Sequence, residues 1–138
     1  MPNLSHRVQQ WAGLEGWRRN GLLFITGGLS ALLFAPFHAF PLLFVLLPVF
    51  FLVLDQSRTL RRAAWDGFFF GYGYFMAGTY WIAIALTVDA TKFGWMIPLS
   101  LFGLSAVFAL YFALFGFLYH RFKFTHPLEN LLWFAVLW

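Results

Sequence analysis

The 138-residue chain contains no cysteine. Disulfides, thiolate metal centres and a cysteine nucleophile are therefore absent from these residues. Charge is almost as scarce. Lys, Arg, Asp and Glu make up 10% of the chain, against about a quarter in a soluble domain. No H-x-x-x-H spacing links His6, His38, His120 or His126, so no metal site is expected. No G-x-x-x-x-G-K-[ST] loop is present to cradle a nucleotide phosphate. What fills the chain instead is apolar: 62% hydrophobic residues and a mean hydropathy of +0.75. Such a composition cannot cover a water-facing surface and predicts an integral membrane protein.

The pI near 9.9 does not point to nucleic acid. The nine basic residues fall in short groups between apolar runs, the pattern of membrane orientation signals. Residues 20–54 carry no charge, a run of 35. One crossing needs about 20 residues, and Pro36 and Pro41 bracket "PFHAFP" midway. Two short helices are predicted, 21–35 and 40–54, each about 23 Å long. That is less than the hydrocarbon thickness, so local thinning or a partly buried hairpin is expected. Two crossings also put Arg18, Arg19, Arg58, Arg61 and Arg62 on one side.

A third helix is predicted over 64–86, a loop "TVDATKFGW" after it, and a fourth helix over 95–119 with Pro98 in its first turn. Arg7, Arg18, Arg19, Arg58, Arg61, Arg62, Arg121 and Lys123 then share one side, and only Lys92 lies on the other. This places the N-terminus in the cytoplasm. Thr125, Pro127 and Glu129 suit a helix start over 126–138, with Thr125 as the cap. The closing "LLWFAVLW" rises only about 12 Å, so a fifth crossing is expected to need residues beyond Trp138. Residues 1–20 form a cytoplasmic or interfacial lead-in, either a short surface helix around Trp11 and Trp17 or disordered. A secretory signal over 17–36 fits less well, since no A-x-A site follows.

Ionisable groups inside membranes usually mark ion pathways. The predicted helix interiors have none; Asp66, one turn from Arg62, reads as an interfacial pair. Gly67, Gly71, Tyr74 and Gly78 follow one another at steps of four, three and four, so they line one helix face. Small residues there allow a neighbouring helix to approach closely. Gly73 thins a second face. Tyr80 and Trp81 lie near the far end of the same helix. They suit an aromatic belt at the headgroups, or the wall of an acyl-chain groove.

Four stretches resemble apolipoprotein N-acyltransferases: "FAPF" (Phe34 to Phe37), "RRA" (Arg61 to Ala63), "GFFFGYGYFMAGTYWIAIAL" (Gly67 to Leu86) and "LENLLWFAVLW" (Leu128 to Trp138). The resemblance spans about residues 21–138. It implies an inner-membrane enzyme of lipoprotein maturation, which moves an acyl chain from a phospholipid to the amino-terminal cysteine of a lipoprotein. That family couples membrane helices to a periplasmic nitrilase-like domain with a Glu-Lys-Cys triad, the cysteine carrying the acyl group as a thioester. The present residues have no cysteine and only Lys92 and Lys123 as lysines, so no catalytic residue carries over.

The expectation is thus an all-α integral membrane protein, a bundle of four transmembrane helices plus the start of a fifth. It is read as the amino-terminal membrane domain of such an acyltransferase, inactive alone and needing no cofactor. Its partners are membrane phospholipid and, through a missing domain, a lipoprotein substrate. Gly67, Gly71 and Gly78 are assigned to helix packing, Tyr80 and Trp81 to lipid. A stand-alone membrane scaffold using the glycine face is the competing reading. A small transporter is disfavoured by the lack of polar groups within the helices.

Overall fold

The computed structural model describes residues 16–31 and 40–138, and every regular element among them is helical. Helix α1 spans Trp17–Ser30, preceded by Gly16 at φ 72°, a left-handed conformation that favours glycine. It begins four residues before the expected position, so Arg18 and Arg19 lie in its first turn rather than ahead of it. The expected end of that helix, "FAPF" and His38 lie outside the described residues, as does the segment 1–15. A 3-10 turn, Phe40–Leu42, leads into α2, Leu43–Asp55. Pro48 stands inside α2, where it cannot donate to the carbonyl one turn back.

Helix α3, Leu60–Gly78, starts earlier than residue 64 because Thr59 caps it, its Oγ1 accepting the Arg62 N–H at 3.2 Å. Asp66 therefore falls in the second turn, inside the helix. The single helix expected over 64–86 is broken at Thr79, and α4, Tyr80–Leu86, continues after a bend of 41°. Gly78 weakens the helix there. The Thr79 hydroxyl donates to the Phe75 carbonyl at 2.7 Å and also meets Ser105 Oγ at 3.2 Å. A 3-10 turn, Thr87–Asp89, and the short α5, Ala90–Phe93, occupy the expected loop.

Helix α6 runs from Met96 to Arg121, with Pro98 in its first turn and a π-helical stretch over Leu99–Leu104. Helix α7, Pro127–Leu137, has Pro127 in its first turn and Glu129 near its positive end. Its N-cap is His126, not Thr125, and no side chain caps it. The Asn130 side chain works beside this start instead, its Oδ1 accepting the Phe124 N–H at 2.7 Å.

Helix α3 is the centre of the packing. On one side α1 crosses it running in the same direction, Arg19 beside Asp66 and Phe24 beside Tyr72, with Gly27 against the Phe70 carbonyl and Gly73 against the Phe24 carbonyl. On the other side α6 runs antiparallel to it, Gly67 against the Phe112 carbonyl and Gly116 against the Ala63 carbonyl. A methyl group at any of these four glycines would overlap that backbone oxygen. Both contacts are thus reciprocal, with a glycine supplied by each helix. Around them Phe50, Phe70, Phe112, Phe115, Tyr119 and Phe134 form the buried core. Phe50 stacks on Phe70 with centroids 4.0 Å apart, and Trp138 lies against Phe134 at 6.0 Å.

Among the described residues one helix, Met96–Arg121, is long and apolar enough to cross a membrane, and the bent pair Leu60–Gly78 with Tyr80–Asp89 is a second if it is taken as one span. The apolar helices Phe44–Asp55 and Leu128–Leu137 are shorter than a span. Most of the apolar length of α6 is not buried within the described residues. Val107, Leu110, Tyr111 and Leu114 are each more than half exposed along it.

Substitution of the contact glycines tests this packing. Gly67→Ala and Gly71→Leu should each lower the unfolding free energy in detergent by roughly 1–3 kcal/mol, the cost of overpacking. Gly78→Ala should stay within about 0.5 kcal/mol of the parent, because nothing described lies within 4 Å of a Cβ placed there. Circular dichroism during denaturant titration measures all three. A Gly67→Ala protein as stable as the parent would contradict the backbone contact.

Candidate functional site

Two networks of charged and polar side chains lie at one end of the helices. The first centres on Asp66, which has no solvent exposure. Arg19, only 8% exposed, grips the carboxylate side-on with two nitrogens, Nη2 to Oδ2 at 2.5 Å and Nε to Oδ1 at 3.2 Å. Arg62 Nε reaches Oδ1 at 3.1 Å, and the Ser57 hydroxyl donates to Oδ2 at 2.6 Å. Arg19 Nη2 also donates to the Val53 carbonyl at 2.6 Å and to Ser57 Oγ at 2.9 Å. Arg62 Nη2 donates to Asn20 Oδ1 at 2.7 Å.

Such a carboxylate is stable without water because donors occupy both oxygens. Two guanidinium groups against one carboxylate leave the network with a surplus positive charge. The pair expected between Asp66 and Arg62 is present, with Arg62 partly exposed and Asp66 fully buried. Its closer partner is Arg19, 47 positions away in the chain.

The second network centres on Asp55, at the end of α2. Tyr119 donates its hydroxyl to Asp55 Oδ1 at 2.9 Å, and Lys123 Nζ lies 2.9 Å from the same oxygen. Lys123 also donates to the Asp55 carbonyl, and Asn130 Nδ2 approaches Oδ1 at 3.5 Å. This network ties the end of α2 to the end of α6 and the start of α7. Neither Arg19, Ser57, Tyr119 nor Asn130 stands out in the sequence as a site residue. Ser57 and Asn130 could have been found as the rare small polar residues beside apolar runs; Tyr119 carries no such signal.

The residues singled out from the sequence lie elsewhere. Gly67 and Gly71 face Phe112 of α6; a Cβ at Gly71 would stand 2.7 Å from the Phe112 Cβ. Gly78, on the same stripe, meets nothing described within 4 Å, because the helix bends there and its face no longer follows α6. Tyr80 and Trp81 begin α4, beyond the bend and at the opposite end from Asp66, and are 51% and 60% exposed. Among the described residues no three His, Cys, Asp or Glu side chains come together as a metal site would need.

The described residues thus define an all-helical domain with apolar outer faces and two polar networks fixing one end. The chain belongs to the family of the apolipoprotein N-acyltransferase N-terminal domain, which matches residues 26–138. Apolipoprotein N-acyltransferase of Rhodopseudomonas palustris is 41% identical over 104 residues, covering 72% of this chain and 19% of that protein. The protein of the same name from Allorhizobium ampelinum is 40% identical over 123 residues, covering 83% and 23%. That of Rickettsia typhi is 39% identical over 90 residues, covering 65% and 18%. The chain therefore spans about a fifth of the length of these relatives.

Loss of the central carboxylate should be costly. Asp66→Asn keeps the shape but leaves Arg19 buried without a counter-charge, and should lower stability by roughly 3–5 kcal/mol. Arg19→Gln should cost more than Arg62→Gln, since the Arg62 side chain is 30% exposed and water can replace its partner. Unfolding of the detergent-solubilised variants ranks them, and equal losses at the two arginines would refute burial as the cause.

Proposed function

We propose that these residues form the membrane-embedded amino-terminal part of an apolipoprotein N-acyltransferase. In this reading the enzyme transfers an acyl chain from phospholipid to the amino-terminal cysteine of a lipoprotein in the bacterial inner membrane. The observation that carries it is the family match over residues 26–138, shared with relatives that bear that name. The chemistry of the residues agrees. Without cysteine these residues cannot hold an acyl thioester, so their part is to anchor the enzyme and shape its lipid surroundings. The 138 residues by themselves are inactive.

The helices α1, α2, α3 with α4, and α6 make four passes, and α7 begins a fifth. The two passes shorter than the hydrocarbon core sit in a locally thinned bilayer. The parallel contact of α1 and the antiparallel contact of α6 with α3 support this alternation. So does the joining of Arg19 with Arg62, and of Lys123 with Asp55, at one end of the helices, while Lys92 lies in the α4–α6 connection. The basic end faces the cytoplasm. Tyr80 and Trp81, at the other end, meet the outer-leaflet lipid with their ring faces and present polar edges to headgroups.

The absence of cysteine makes orientation directly measurable. Single-cysteine variants Lys123→Cys and Lys92→Cys in sealed cells should react with a membrane-impermeant maleimide only at position 92. Labelling at 123 alone would reverse the orientation. For the activity, residues 26–138 should be exchanged for the matching segment of the Rhodopseudomonas palustris relative. The chimera should acylate a diacylated lipopeptide from phospholipid, whereas the 138-residue chain should give no product. A chimera that folds and inserts but never acylates would refute the assignment.

A further inference from the structure

Beside the buried network a groove opens on the outer surface between α3 and α6. It is lined by Arg61, Ala64, Trp65 and Phe68 of α3 and by Leu110 and Ala113 of α6, with a volume of about 210 Å3. The α3 residues recur at steps of three, one and three, so they form one helical stripe. Small side chains at Ala64 and Ala113 leave a depression between the larger ones. Trp65 and Phe68 meet edge to face at 5.5 Å, and Trp65 is 45% exposed.

Charge identifies the occupant. Arg61, exposed in the first turn of α3, is the one charged residue of this lining. Among the described residues it has no acidic partner. Asp66 is taken by Arg19 and Arg62, Asp55 by Lys123 and Asp89 by Lys92. An apolar slot ending at an uncompensated guanidinium matches a molecule with an acyl chain and an anionic head. We infer that this groove holds a phospholipid with a net negative headgroup, its phosphate on Arg61 and one acyl chain against Trp65, Phe68 and Leu110. Arg suits phosphate because its planar fork donates in pairs. The site lies at the basic end, away from Tyr80 and Trp81, so this lipid is a bound companion of the helix bundle and not the acyl donor.

The inference rests on the membrane-embedded reading, and the test separates the two. The purified 138-residue chain is offered equal amounts of phosphatidylglycerol and phosphatidylcholine with the same acyl chains, and retained lipid is counted by native mass spectrometry. The parent should prefer phosphatidylglycerol. Arg61→Gln should lower its retention about fivefold, the worth of one basic residue at a lipid surface, and leave phosphatidylcholine unchanged. Trp65→Ala should weaken both lipids. Lys92→Gln removes the same charge from the other end and should change neither. Millimolar inorganic phosphate should not displace the lipid, since it lacks the chain that fills the groove.

Unchanged retention in Arg61→Gln, an equal loss in Lys92→Gln, or displacement by phosphate would each overturn the site. Flotation of the chain with phosphatidylglycerol vesicles decides the underlying reading. A chain that fails to float overturns both; one that floats yet shows no preference overturns the groove alone.

Discussion

A single buried carboxylate constrains one whole end of this molecule. Asp66 sits on α3 without solvent. An ion in that position is tolerated only if cationic donors reach both its oxygens. Arg62 comes from the same helix, but one guanidinium on one side does not satisfy it. Arg19 must come from α1 and Ser57 from the connection just after α2. The ends of α1 and α2 are therefore held against the start of α3 by electrostatics rather than by shape. Arg19 extends the tie by donating to the Val53 carbonyl, close to where α2 stops.

Along the rest of α3 the constraint changes from charge to distance. Glycine contacts bring the α3 backbone against α1 on one face and α6 on the other. This is the economical solution in a lipid environment, where helices gain little by hiding apolar surface and associate through close packing. It also explains the aromatic content of the core. With backbones this near, the remaining space between α2, α3, α6 and α7 is wide and is filled by large flat rings such as Phe50 and Phe70. The polar tie at one end and the bend at Thr79 at the other bound this tightly packed section. Past the bend, Tyr80 and Trp81 are free of it and exposed.

The sequence was informative where local chemistry decides. Prolines and apolar runs placed the starts of α2, α6 and α7 within a few residues, and the i, i+4 relation of Arg62 and Asp66 announced their pairing. It was less informative where two local signals compete. Apolar composition across 64–86 argued for one helix, yet Gly78 and the back-bonding Thr79 hydroxyl interrupt it. The glycine stripe was visible as a pattern, but the bend removes Gly78 from it. Gly27 and Gly116, which complete the reciprocal contacts, carried no stripe of their own and so went unremarked.

Taken by itself, the sequence determined the class of these residues: helices, apolar outer faces, clustered basic groups and no thiol among them. These follow from composition and short-range spacing, which act through each residue's own preference for lipid, water or helix. It also determined the family, because the motifs from Gly67 to Leu86 and from Leu128 to Trp138 are contiguous. Only the tertiary structure decided which charges are buried, since burial depends on what packs above a residue. It joined Arg19 to Asp66 across 47 positions and left Arg61, five residues before Asp66, without an acidic partner among the described residues. Neighbouring arginines with identical chemistry thus have different surroundings, because helix rotation turns one inward and the other out.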